Sequence, residues 1–280
     1  MGQTQLGNLT YTYDTNGRVT AKGGSLAATG MPAAVSGNTF NADNAMSGFN
    51  GTALSYDANG NLTGDGTNTY AWDARNHLSG ISGPTNASFV YDAFGRRSSK
   101  TINAGVTQFL YDGWNPVQEL NGANPPSPTA NLLTGPKIDE YFTRADSNGA
   151  MNFLSDSPGS TIALANSAGA IATQYTYEPF GNVTPSGATS TNPYQFTGRE
   201  NDATGLYYYR ARYYSPTFQW FASHDPIGFA GGDANLYGYV IDDPVDYLDP
   251  FGLWRYYGNW ADRTGVAVRP SFWRTCRLKN

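Results

Sequence analysis

Two aspartates are the best placed residues in this chain to do chemistry: Asp225 in SHDPIG and Asp249 in DPFGL. Each precedes a proline, which fixes the next φ and biases the aspartate toward extended or turn geometry. Read locally, both open tight turns, and Asp249-Pro250-Phe251-Gly252 carries Asp, Pro and Gly at favoured positions of a type I turn. Brought close together, two such carboxyls cannot both ionise. One keeps its proton and the other stays basic, which is the equipment of a general acid and a general base. Asp225 would have to return to Asp249 through the strand NLYGYV and the turn at Asp242-Asp243-Pro244. Asp242, Asp243 and Asp246 in the same stretch read as turn and surface residues.

Other constellations are weak. The two histidines, His77 and His224, have no Cys or carboxylate cluster at metal-ligand spacing, so no zinc site is expected. No phosphate-binding loop or dinucleotide fingerprint occurs, and no cofactor or metal is expected. His77 lies in a repeated turn and reads as structural, which leaves a Ser-His-Asp triad without support.

The elements that must position the aspartates are written as a repeat. Five times a Tyr or Trp followed by an acid opens a turn closing on Gly or Asn: YDTNGRVT from Tyr13, YDANGNLT from Tyr56, WDARNHLS from Trp72, YDAFGRRS from Tyr91 and YEPFGNVT from Tyr177. The aromatic residue closes one strand, the carboxylate accepts from amides two residues on, and Gly17, Gly60, Asn76, Gly95 or Gly181 takes the left-handed position. Each unit therefore predicts a β-hairpin. Tyr111-Asp112-Gly113 is a degenerate sixth copy. From Tyr56 to Tyr111 the spacings are 16, 19 and 20 residues, suited to one two-stranded unit per repeat. A lone hairpin cannot bury its apolar side, whereas a stack shares one continuous surface.

Composition agrees with many short strands: charged residues are 14% of the 280, and the chain holds 33 Gly and 20 Tyr. Net charge is −5, so the main body should repel nucleic acid and anionic membranes. No stretch reaches the apolar length of a membrane span. Cys276 is the sole cysteine and excludes an intramolecular disulfide. The N-terminus lacks the basic and apolar runs of a signal peptide.

These repeats resemble the YD repeats of the RHS family, related to teneurin shells and the C components of Tc toxins. TGREND-ATGLYYYRARYYSP and SHDPIGFAGGDANLYGYVIDDPVDYLDPFGL, between Thr197 and Leu253, resemble the RHS-associated core nearly motif by motif. The resemblance implies an all-β fold in which hairpins wind into a spiral strip, part of a hollow shell closed by the core. It also implies that the core is an aspartic autoprotease using Asp225 and Asp249 to cut after the Leu of DPxGL, here the Leu253-Trp254 bond. Three places depart from the family pattern: Gly-Arg-Phe reads Phe218-Gln219-Trp220, RYYDP ends as Ser215-Pro216, and Gly-Gly-x-Asn is lengthened to Gly231-Gly232-Asp233-Ala234-Asn235.

Organisation along the chain follows from breakers and charge. Residues 1–196 are expected as repeat shell, 197–253 as core and 254–280 as a short basic tail. The stretch 22–50 reads as a long loop or irregular repeat, and the proline-bearing 121–136 as linker-like. Hairpin turns are expected at Ser147-Asn148-Gly149 and Asp156-Ser157-Pro158-Gly159. Leu206 to Tyr214 reads as a Tyr/Arg-rich strand on a partly wet interior wall. In the tail, Arg255, Arg263, Arg269, Arg274, Arg277 and Lys279 outweigh Asp262, giving +5. The preferred function is the shell and processing module of a polymorphic toxin that encloses a C-terminal effector and cuts it free. Its partners would be that toxin segment or the remaining shell, a secretion apparatus or an immunity protein, at a secreted or cell-surface location. The alternative is a non-catalytic adhesion or glycan-binding module presenting aromatic faces.

Overall fold

The computed structural model describes residues 5–257. Among the described residues there is no α-helix, only strands, turns and three short 3-10 segments. Fourteen strands, from Ser55–Tyr56 to Val183–Gly187, follow one another in chain order as one antiparallel meander. The repeat turns make this possible. In the fourth copy, Asp92 Oδ1 accepts from the N–H groups of Phe94 and Arg96, both at 2.9 Å, and Gly95 sits at φ 79°. The same arrangement holds at Asp14, Asp57 and Asp73, where Asn76 takes the left-handed place at φ 60°. Strand register slips by one residue at the aromatic position, as at Val90/Tyr91 and Ala71/Trp72. Such a bulge adds twist, and repeated along the strip it curls the sheet.

The requirement for Tyr or Trp has a direct cause. In successive repeats the aromatic donor reaches back to a backbone carbonyl of an earlier strand: Trp72 Nε1 to Leu62 O at 2.7 Å, Tyr91 Oη to Leu78 O at 2.7 Å, Tyr111 Oη to Arg97 O at 2.8 Å. Leu62, Leu78 and Arg97 stand just past the preceding repeat's turn, so these three units are each stitched to their predecessor. Phenylalanine would bury the same ring without the donor. Tyr91→Phe is therefore expected to cost about 1–3 kcal/mol in a denaturant titration, the range for leaving a buried polar group short of a partner. Val90→Ala, at an exposed neighbour, should stay within roughly 0.5 kcal/mol.

The turn recurs where no aromatic-acid pair announces it. Asp156, Asn166 and Asn41 hold the same main-chain closure, for example Asn166 N to Ala170 O at 2.9 Å with Gly169 N to Asn166 O at 2.9 Å. The hairpin turns at 147–149 and 156–159 lie where the sequence placed them. The stretch 121–136 is no linker: Pro128–Thr134 is a strand paired on both sides. Pro128 stands at its first residue, where a missing donor is tolerated, and Ala130 and Leu132 point inward. Residues 22–50 likewise contribute Thr39–Phe40 and Met46–Phe49 to a three-stranded sheet with Thr52–Ala53.

Around the inside of the strip lies the segment from Thr197. Tyr207–Tyr209 and Arg212–Ser215 form a hairpin flanked by Glu200–Asn201 and Trp220–Phe221. One face, Tyr208 and Tyr213, packs on Leu62, Tyr70, Leu78, Ile81 and Phe89; the other, Tyr207, Tyr209 and Tyr214, packs on Leu164, Tyr175 and Tyr177. The expectation of a partly wet wall is corrected here, because all seven residues of the two strands are buried. Ion pairing makes the dry setting tolerable: Arg199 and Arg210 share the buried Asp139, and Arg212 meets two further aspartates. The first hairpin, Thr10–Tyr13 with Val19–Gly23, stands off the main sheet and reaches the far end of the chain. Val19 N donates to Asp246 Oδ1 at 2.9 Å, and Lys22 pairs with Asp156 at 3.0 Å. Asp246 is thus a buried anchor rather than a surface residue.

Candidate active site

The loop carrying Asp249 is held from below by three consecutive residues of the core hairpin's turn. Arg210 Nη1 donates to Pro250 O, Ala211 N to Phe251 O at 3.1 Å, and Arg212 Nε to Gly252 O at 2.5 Å. Gly252 lies at φ 66°, and a Cβ there would sit 2.6 Å from Tyr209 O, so only glycine fits. The turn directs the chain back on itself, with Asp249 Oδ1 accepting from Leu253 N at 3.0 Å and from Trp254 N at 3.3 Å. Asp249 therefore touches the nitrogen of the Leu253-Trp254 peptide bond.

Asp225 arrives from the other side. Its Oδ1 is occupied by Ile227 N at 2.9 Å, while Oδ2 faces Arg212 Nη2 at 3.1 Å; the same nitrogen lies 3.5 Å from Asp249 Oδ2. The structure thus brings Asp225 and Asp249 to the same guanidinium nitrogen of Arg212. With Leu253 and Trp254 they line a single cleft of about 20 Å³, enough for roughly one water molecule. Gly231 closes it: a Cβ at that position would come within 2.6 Å of Asp225 Oδ2 and 2.9 Å of Leu253 O.

Burial pushes the Asp249 carboxyl up to about 6, against the pull of Arg212 and of the two amides it accepts. Burial also raises Asp225, with Arg212 opposing. Desolvation lowers Arg212 itself even between its two acids. The cleft can therefore keep one proton on a carboxyl near neutral pH while its neighbour is ionised.

Sequence reasoning missed Arg212, and it noted Gly231 and Asp233 only as part of a lengthened turn, although both line the same cleft. Arg212 had a signal in the alternation YYYRARYY, where arginine inside an aromatic run demands a buried partner. The arginine absent from Phe218-Gln219-Trp220 does not leave the acids without a cation, because Arg212 reaches both. The lengthened 231–235 turn is accommodated by Gly232 at φ 85° and by Asn235 N donating to Asp233 Oδ1 at 2.9 Å. His77 is structural as expected, with its ring on Tyr91 at 4.6 Å and Nδ1 3.1 Å from Asp73 Oδ2. His224 packs on Tyr237 beside Gly60 and does not line the cleft at Leu253-Trp254. Among the described residues no His, Cys, Asp and Glu group could hold a metal ion, and no helix is long and apolar enough to cross a membrane.

Comparison with known proteins places this architecture. The teneurin YD-shell family model matches residues 2–239. The chain belongs to that family. Its matched stretch includes Arg212 and Asp225 and ends before Asp249. Among related YD-shell proteins is the tRNA nuclease WapA of Bacillus subtilis strain 168, 34% identical over 238 residues that make up 77% of this chain and 10% of that protein. Double-stranded DNA deaminase toxin A of Burkholderia cenocepacia strain H111 is 30% identical over 241 residues, 71% of this chain and 16% of that protein. The chain thus spans a small part of the length of these relatives. The crystal structure of TcdB2-TccC3-Cdc42 superposes with a TM-score of 0.62 at 19% identity, covering 89% of this chain and 17% of that one. That likeness gives the fold: an all-β strip of shell hairpins closed by the core.

Proposed function

We propose that the chain is the shell and processing module of a toxin, enclosing a C-terminal effector and cutting it free at Leu253-Trp254. Residues 1–196 serve as shell, 197–253 as core and 254–280 as a short basic tail, an effector remnant or tether, most of which lies outside the described residues. The observation that carries this reading is the contact of Asp249 with the scissile amide inside a cleft shared with Asp225. Relatives named as a nuclease and a deaminase toxin support an effector as cargo. Secretion, and with it an export apparatus or immunity protein as partner, follows from that reading.

The proposed chemistry balances as hydrolysis. Asp225 takes a proton from water as the water oxygen attacks the Leu253 carbonyl carbon, Asp249 gives its proton to the Trp254 nitrogen, and the C–N bond breaks to a Leu253 carboxyl and a Trp254 amine. Asp225 then returns the proton to the pair. The adhesion alternative gains little from the core tyrosines, because Tyr194, Tyr207, Tyr208, Tyr209, Tyr213, Tyr214, Tyr237 and Tyr239 are all buried, and among the described Tyr and Trp side chains the exposed ones are Tyr13 and Trp114, far apart in sequence. Intact-mass measurement of freshly purified protein should show a species ending at Leu253 and a 27-residue basic peptide. A folded chain that stays whole from pH 4 to 8 would remove the processing role and leave a structural shell segment.

A further inference from the structure

The chain leaving the cleft does not run free. After the turn at Pro250–Gly252, Tyr256–Tyr257 pairs antiparallel with Tyr247–Leu248, Leu248 opposite Tyr256 and Tyr247 opposite Tyr257. The scissile bond therefore sits in a hairpin loop clamped at both ends. Main-chain groups make most of the clamp: the N–H groups of Leu253 and Trp254 bind Asp249, and the following residues join the strand ladder. Side chains contribute less. Trp254 Nε1 donates to Tyr256 within the segment itself, and Arg255 makes an exposed bond to Gly232 O at 3.0 Å and lies 5.7 Å from the Tyr247 ring. Trp254, Arg255 and Tyr256 are each only half-buried, with Trp254 and Arg255 edging the cleft and Tyr256 outside it.

We propose that this is a peptide-binding subsite that reads backbone: it accepts as an added strand any extended, non-proline segment following Leu253, irrespective of its side chains. The proposal rests on the cleavage reading for its purpose but not for its test. Strand addition takes its affinity from main-chain hydrogen bonds, which every non-proline residue can offer. Proline lacks the donor and fixes φ near −65°, so it is the one residue class the ladder excludes. A module built this way can process effectors of unrelated sequence, provided that the residues just past the cut can lie flat against Tyr247–Leu248.

Two full-length variants separate backbone from side-chain recognition. Arg255→Ala/Tyr256→Ser removes the side-chain contacts and should cut within about threefold of the unaltered chain; Tyr256→Pro/Tyr257→Pro should slow the cut at least tenfold. Hydrogen exchange on the uncut Asp249→Asn chain provides the second readout. Those amides among 255–257 that point at Tyr247–Leu248 should be protected, and should stay protected when Arg255→Ala/Tyr256→Ser is added. Equal slowing of both variants, or fast exchange at those amides, would overturn backbone recognition. If the unaltered chain is never cut, the processing role fails, while the exchange result still decides whether the strand docks.

Discussion

Asp249→Asn and Asp225→Asn are each expected to slow cleavage at Leu253-Trp254 by about 10²- to 10⁴-fold, the usual worth of a positioned acid or base. Asparagine keeps the shape and can still accept from the Leu253 and Trp254 amides, so the fold should survive while the transferable proton is lost. The double variant should be little worse than the poorer single one, because the two groups act as a unit. The pH profile gives a sharper signature. Burial holds Asp249 up to about 6, so its proton is available below that value and cleavage should fall as pH rises through it. Asp225 must be ionised to act as base, so cleavage should also fall toward acid, giving a bell. Time courses by intact mass after a pH jump would trace both limbs. A flat profile between pH 4 and 8, or full activity in Asp249→Asn, would assign the cut to another agent.

The same shift has a consequence for stability, with its own sign. The folded carboxyl of Asp249 is raised, so its neutral form is the one that the fold favours. Its contribution is present below the unfolded carboxylate range, about 3.9, and is lost as pH rises from there through about 6. Asp249→Asn should remove that slope.

How much of this was legible in the sequence differs from element to element. The repeat turns were, because their chemistry is local: an acid, four intervening residues at most and one left-handed position close each turn. The turns at Asn166 and Asn41 were not legible because no aromatic-acid pair precedes them, whereas the turn itself needs only the side-chain oxygen and the glycine or asparagine three residues on. The strand at 128–134 was hidden behind Pro125, Pro126 and Pro128, of which only the last belongs to it. In the site, Asp225 and Asp249 were visible as paired Asp-Pro turns through a family resemblance. Arg212 was not, since nothing in local spacing says that it lies between them. That juxtaposition is made by the core hairpin threading the inside of the strip, a long-range event with no short-range mark. For the same reason Asp246 was misplaced: its partner, Val19, comes from the other end of the chain.

The largest stability effect is expected at Arg97, which follows the fourth repeat turn beside Arg96. Neighbouring residues on a strand face opposite sides. Arg96 pairs with Asp92 at the surface, whereas Arg97 is fully buried and meets Glu200 at 2.5 Å and Asp202 Oδ1 at 2.9 Å, with its guanidinium 4.2 Å from the Tyr208 ring. Lys100 adds a second cation, 2.8 Å from Asp202. This buried quartet fastens the strip to the core. Arg97→Met should leave two desolvated carboxylates facing one lysine and cost about 3–5 kcal/mol, the range for breaking a buried pair from one side. Adding Asp202→Asn restores charge balance between Lys100 and Glu200 and should recover a measurable part. Acid dependence supplies the check. Burial alone would raise Asp202, but Arg97 and Lys100 together hold it below the ordinary carboxylate range. The stabilisation is therefore present above about pH 4 and is lost as pH falls through the lower folded value. In Arg97→Met that acid loss should shrink. Chemical denaturation at pH 7 and pH 3 measures both quantities; a loss under 1 kcal/mol at pH 7, or an unchanged acid slope, would mean that the quartet does not fasten core to strip.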